Sequence, residues 1–181
     1  MRVVEAVRGG PGPRLSDHSA GRNRPLPIDD QSSNSPPPRG PKPRPAFLFR
    51  QSGVIPFLLE GGSLRVVLVT SNRSKRWIVP KGVVDRGRTP LQSALNEAFE
   101  EAGVLGEAET ASLGDYRYEK WGGSCVVKVF AMRVTNLLLD WPERAWRQRI
   151  LVPMEEALTL VTPPEVVPLM AAGARLLEGK G

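Results

Sequence analysis

Between Pro90 and Ala102 the apolar residues Leu91, Leu95, Ala98, Phe99 and Ala102 recur at three- and four-residue steps. That period predicts a helix with one side turned to a core. Thr89 stands where an N-cap is wanted, and proline takes the first helical position. Gly103 stands where a left-handed residue ends a helix. On another side of the same helix Glu97, Glu100 and Glu101 are spaced i, i+3 and i+4, so their carboxylates can converge on one spot.

Strand patterns surround this helix. Ser52–Leu59 and Leu64–Thr70 read as a hairpin turned at Glu60-Gly61-Gly62-Ser63. Pro56 inside the first run implies an edge position or a bulge. Ser71–Lys75 is a polar loop and Trp77–Val79 a short strand. Gly82 opens a loop that runs to Thr89. Leu113–Tyr118 and Ser124–Val134 are two further strands, and Ile150–Pro153 another short one. Asp140–Gln148 reads as a short helix or a loop. Glu155–Leu160 and Pro164–Leu177 read as helices. Strands on both sides of a helix, closed by helices, predict an α/β domain with a mixed sheet packed between helices.

Composition divides the 181 residues in two. Residues 1–50 hold ten of the eighteen prolines and carry nine Lys/Arg against four Asp/Glu, a net of +5. Residues 51–181 carry sixteen against fifteen. The overall +6 is therefore a property of the tail, and it says little about nucleic-acid binding by the domain. Residues 1–45 read as a disordered, Pro/Arg-rich tail, and 46–181 as the folded domain. The tail is open to three readings: a linker, a basic arm for anionic partners, or an extension from a misplaced start. It has no apolar leader core, and the chain has no run long enough to span a membrane. The expected compartment is the cytoplasm, and no membrane partner is expected. Nucleic acid is expected only through the tail.

The single Cys125 excludes an internal disulfide and reads as a small core residue. The single His18 lies in the tail, so the domain has no Ser-His-Asp, Cys-His or His-ligated metal chemistry. Neither of the two common glycine-rich nucleotide loops is present. Carboxylates, lysine, arginine and tyrosine remain. Like charges four apart on a helix repel by roughly 0.2–0.5 kcal/mol per pair. A hard divalent cation converts that repulsion into ligation; a solvated acidic face is the plainer explanation.

The stretch from Gly82 to Val104 resembles the Nudix box, G-x5-E-x7-R-E-U-x-E-E-x-G-U with U aliphatic. Seven of its nine defined positions agree: Gly82, Glu97, Ala98, Glu100, Glu101, Gly103 and Val104. The entry Trp77-Ile78-Val79-Pro80-Lys81-Gly82 resembles that of the diphosphoinositol and diadenosine polyphosphate hydrolase branch. Two positions depart. Arg88 replaces the first glutamate, and Asn96 replaces the arginine that braces the metal-binding helix.

The resemblance implies a Nudix-type α/β/α sandwich and metal-assisted attack of water on phosphorus. It implies Mg²⁺ or Mn²⁺ held by Glu97, Glu100, Glu101 and the Gly82 carbonyl. Glu100 or Glu101 would orient or deprotonate the water. The expected partner is a small-molecule phosphoanhydride, a dinucleoside or diphosphoinositol polyphosphate. Lys81 and Arg76 are candidate phosphate contacts, each also readable as a solvated cation. Arg147 and Arg149, in a late stretch that resembles that branch, are candidates for distal phosphates. Glu119 or Glu143 could supply a remote acidic ligand. The alternative is a catalytically inactive Nudix-fold module that binds a ligand.

Overall fold

The computed structural model describes residues 44–120 and 122–179. The expectations for residues 1–43, including those for His18, lie outside them. A 3-10 turn at Ala46–Phe49 leads into β1 (Arg50–Glu60). β2 (Ser63–Thr70) pairs antiparallel with β1 through Glu60↔Ser63, which leaves Gly61-Gly62 as a two-residue turn. Both turn glycines have positive φ, 58° and 80°, as the twist of a tight hairpin requires. β3 (Trp77–Ile78) and β4 (Lys81–Val83) follow, then α1 (Pro90–Ala102). β5 (Val104–Ala108), β6 (Gly114–Lys120), β7 (Gly123–Leu137) and β8 (Arg149–Pro153) complete the strands. α2 (Met154–Leu160) and α3 (Val167–Glu178) close the chain.

The described strands form one mixed sheet with the path β3-β2-β1-β7-β5, while β4 pairs with β1, β6 with β7 and β8 with β2. β1 and β7 run parallel along eight paired positions; the other pairings are antiparallel. Alternation along these two strands divides the core into two faces. Val54, Phe130, Met132 and Val134 pack under α1 with Ala94, Ala98 and Ala102. Ile55, Phe57, Val127, Val129 and Ala131 pack under α2 and α3 with Ala157, Met170, Ala174 and Leu177. The result is the expected α/β/α sandwich.

Several elements differ from the sequence expectation. The stretch from Gly82 was read as loop but begins inside β4, and β5 was not anticipated; at three and five residues, neither is long enough to show a period. Asp140–Gln148, open between helix and loop, is bends and turns without a helix. Phe99 was placed in the core stripe but is 38 % exposed, while Ala94 and Ser93 are buried in its place. Pro56 is neither at an edge nor in a bulge. It pairs with Met132 in the middle of the sheet. Its missing N–H falls on the other side of β1, between the pairing with β4, which ends at Gly53, and that with β2, which begins at Phe57. No ladder bond is wanted there, so proline is tolerated.

Met170 is fully buried between α3 and the sheet. Met170→Ala is expected to cost about 2–5 kcal/mol through lost burial and the cavity left behind. Urea unfolding followed by circular dichroism checks this; a cost under about 1 kcal/mol would mean that this face is loosely packed.

Candidate active site

α1 is held at both ends by local chemistry. Thr89 accepts from Gln92 N, and the Gln92 side chain accepts from Thr89 N at 2.9 Å, a reciprocal cap. Gly103 ends the helix in the left-handed region, φ 60° and ψ 36°. A Cβ there would press on the Trp141 ring, so glycine is required twice over. Arg149 Nη1 donates to the Ala102 carbonyl at 2.7 Å and its guanidinium lies 4.2 Å from the Trp141 ring centre. A cation at the negative end of the helix supports it.

The three glutamates of α1 stand near enough for Glu101 and Glu100 to act on the Glu97 carboxyl, but their carboxylates do not meet at one spot as their spacing alone had implied. Among the described residues no three acidic or otherwise metal-ligating side chains are gathered so as to hold an ion as they stand. The reason lies in their neighbours. Glu101 is turned inward and is only 4 % exposed. Its Oε2 accepts from the backbone N–H of Lys81 at 3.0 Å, and its Oε1 pairs with Arg147. The Lys81 N–H is available because the β4 ladder turns it away from β1. Glu97 lies against Gly82, where a Cβ would fall on its carboxylate. Glu100 remains half-buried, and its backbone carbonyl accepts from Glu143 N at 3.1 Å.

Crowding marks the electrostatics. Burial pushes the Glu97 carboxyl up to about 8, helped by Glu101, Glu100 and Glu143. Burial also raises Glu101, opposed by the Arg147 guanidinium and the Lys81 N–H. Burial lowers the Lys81 ammonium, with Glu101 the main opposing influence.

Arg147 and Arg149 differ from expectation. Neither lines the cavity that Lys81 borders. Arg147 donates through Nε to Glu143, through Nη2 to Glu101 and through Nη1 to the Thr70 carbonyl at 2.8 Å. Arg149 caps α1 as above. The Arg147 guanidinium is engaged on all three sides and buried, whereas Arg149 uses Nη1 on the end of α1 and is partly exposed. Of the two remote acidic candidates, Glu143 joins the glutamate cluster through Arg147, and Glu119 lines the cavity.

That cavity measures about 760 Å³. Arg73, Arg76, Lys81 and Lys120 line it, against the single carboxylate Glu119. Arg76 Nε donates to Ser74 Oγ at 3.1 Å, which steadies the 71–76 loop. Lys81 Nζ donates to the Tyr118 hydroxyl at 3.3 Å, and that hydroxyl donates to Gln51 Oε1 at 2.8 Å. The sequence analysis missed Tyr118, Gln51 and the Thr70 carbonyl as site residues. No local pattern points to them, since they come from distant strands. The Glu143–Arg147 pair was findable as opposite charges four apart.

The profile of the NUDIX domain matches residues 49–171. The chain belongs to the Nudix family. Among curated relatives, Nudix hydrolase 12, mitochondrial, of Arabidopsis thaliana is 36% identical over 105 residues, 54% of this chain and 52% of that protein. Diphosphoinositol polyphosphate phosphohydrolase 3-beta of Bos taurus is 33% identical over 99 residues, 53% of this chain and 59% of that protein. The chain thus spans about half the length of the curated relatives it matches. Among solved structures, the Ap4A hydrolase of C. elegans superposes with a TM-score of 0.60 at 21% identity, over 71% of this chain and 97% of that one. The NUDIX domain of Shewanella oneidensis NrtR, complexed with ADP ribose, superposes with a TM-score of 0.61 at 17% identity, over 80% and 95%. At that identity the structural likeness speaks for the fold.

The two departures from the Nudix box are now located. Arg88 is exposed and pairs with Asp85 at 3.4 Å, a carboxylate that itself acts on Glu97. Asn96 is half-buried on α1, one residue before Glu97. The donor set suits a divalent ion. It is all oxygen, and the Glu97 carboxyl is raised first by burial and then by neighbouring carboxylates, both of which a bound cation would offset.

A carboxyl raised in the folded state from 4.5 to about 8 adds stability below pH 4.5 and loses it as pH climbs through 8. Metal-free wild type is therefore expected to melt progressively lower across that window. Glu97→Gln removes the charge, so its melting temperature should exceed that of wild type at pH 8.5 and match it near pH 5. Parallel curves at all pH values would contradict the crowding of Glu97.

Proposed function

We propose that this Nudix domain is a metal-dependent hydrolase that cleaves a phosphoanhydride link in a small polyphosphate. A dinucleoside polyphosphate or a diphosphoinositol polyphosphate is the favoured substrate. The observation that carries this reading is Lys81. Its backbone N–H donates to Glu101, and its side chain lines a cavity with three further cations and one carboxylate. One residue thus joins an acidic, oxygen-rich cluster to a basic space of about 760 Å³, room for several phosphates. The names of relatives that act on diphosphoinositol polyphosphate and Ap4A lean the same way.

In this reading Glu97, Glu100 and Glu101, with the second lone pair of the Gly82 carbonyl, hold Mg²⁺ or Mn²⁺. A bound ion would neutralise phosphate oxygens and lower the pKa of a water. The chain's own residues supply the rest. Glu100 or Glu101 orients the water or takes its proton. Lys81 and Arg76 bind and orient phosphate oxygens. Gly82 leaves room for the Glu97 carboxylate. Arg147 and Arg149 stay in the scaffold.

A second reading is a Nudix-fold module that holds its ligand without cleaving it. The inward turn of Glu101 onto Arg147 favours it, as do Arg88 and Asn96 in the box.

Turnover with Mg²⁺ or Mn²⁺ over diadenosine polyphosphates, diphosphoinositol polyphosphates, nucleoside triphosphates and ADP-ribose separates the two. Glu97→Gln and Glu101→Gln should each lower turnover on the order of 100-fold or more while circular dichroism stays native. Full turnover in both variants would sink the metal assignment. Tight binding of one probe with no turnover by wild type would establish the second reading.

A further inference from the structure

We propose that Arg147 is the positioning residue of the glutamate cluster, holding Glu101 and Glu143 from outside the box helix rather than binding substrate. The inference rests on the hydrolase reading above and deepens it. Its guanidinium has three acceptors on three different segments: Glu101 on α1, Glu143 in the turns after β7, and the Thr70 carbonyl at the end of β2. The side chain is only 8 % exposed and lines no part of the basic cavity.

Its backbone is itself anchored. Arg147 N donates to the Glu143 carbonyl at 3.0 Å. The next residue, Gln148, exchanges two hydrogen bonds with Thr70, at 2.9 and 3.0 Å. The guanidinium is therefore aimed before any ligand arrives. A planar fork can serve two carboxylates and a carbonyl in fixed directions, which a single ammonium cannot. One Glu101 oxygen takes the Arg147 contact and the other the Lys81 N–H, so the carboxylate has one orientation. Position 96, one turn before Glu100, carries the neutral Asn96. The guanidinium on the Glu101 and Glu143 carboxylates is that of Arg147, with the Lys81 ammonium the other cation acting on Glu101.

Arg147→Met and Arg147→Lys test this in the full chain. The readouts are Mn²⁺ affinity by calorimetry, thermal melting, and kcat and KM on whichever probe wild type cleaves best. For Arg147→Met the expected result is Mn²⁺ affinity and kcat both lowered about 10–100-fold, with KM changed less than about twofold. Arg147→Lys should fall between. Unchanged Mn²⁺ affinity with KM raised about tenfold would overturn the inference and return Arg147 to the substrate. If Arg147→Met fails to fold, Arg147→Lys carries the same comparison. If wild type binds Mn²⁺ but cleaves no probe, the hydrolase reading fails by itself. Mn²⁺ affinity then decides: its loss in the variants supports the positioning role, and its retention overturns it. Wild type that binds no Mn²⁺ overturns both.

Discussion

A carboxylate cannot be withdrawn from water unless something on the protein replaces the water. Glu101 is the buried carboxylate of this domain, and much of the surrounding architecture answers to it. β4 pairs with β1 through Gly53↔Lys81, and the outward N–H of Lys81 reaches one oxygen. The turns after β7 are tied to β2 so that Arg147 can reach the other. Removing either partner leaves buried charge, at a cost of several kcal/mol. The acidic cluster is thus not decoration on the helix surface. It is built into the join between α1, β4 and the chain that follows β7.

Both ends of α1 are fixed by local partners as well. Its first turn is closed by Thr89 and Gln92, and its last by Gly103 and Arg149. Ala94, Ala98 and Ala102 are small, so the helix lies close to Val54, Phe130 and Met132. Gly82 lets β4 approach the Glu97 carboxylate. Close approach from both sides buries Glu97 beside other carboxylates, and burial first, then their charge, raises its carboxyl to about 8.

The fold was largely legible in the chain. The hairpin at Gly61-Gly62, the α1 boundaries, the long strand β7 and the closing helices all carry strong local signals: glycine turns, caps and sustained periods. Phe99 was misplaced because spacing alone cannot say which edge of an apolar stripe overhangs the sheet. Pro56 looked like an edge residue because a lone strand gives no hint that its neighbours change along its length. The site was legible in its residue types and in the box pattern, but not in its contacts. Arg147 and Arg149 looked like free phosphate ligands because arginines in a polar turn show no partners in sequence. Their acceptors lie up to 77 positions away.

By itself the sequence determined what short-range physics can encode. It set where α1 starts and stops, which strands alternate, and that three glutamates share one helix side in a Nudix box. Only the tertiary structure decided which of those glutamates is buried, what replaces its water, and which cations face the cavity. The physical reason is that a charge's environment is made by whatever packs against it. For Glu101 those neighbours come from positions 20 and 46 residues distant, brought in by the pairing of β4 with β1 and of β8 with β2.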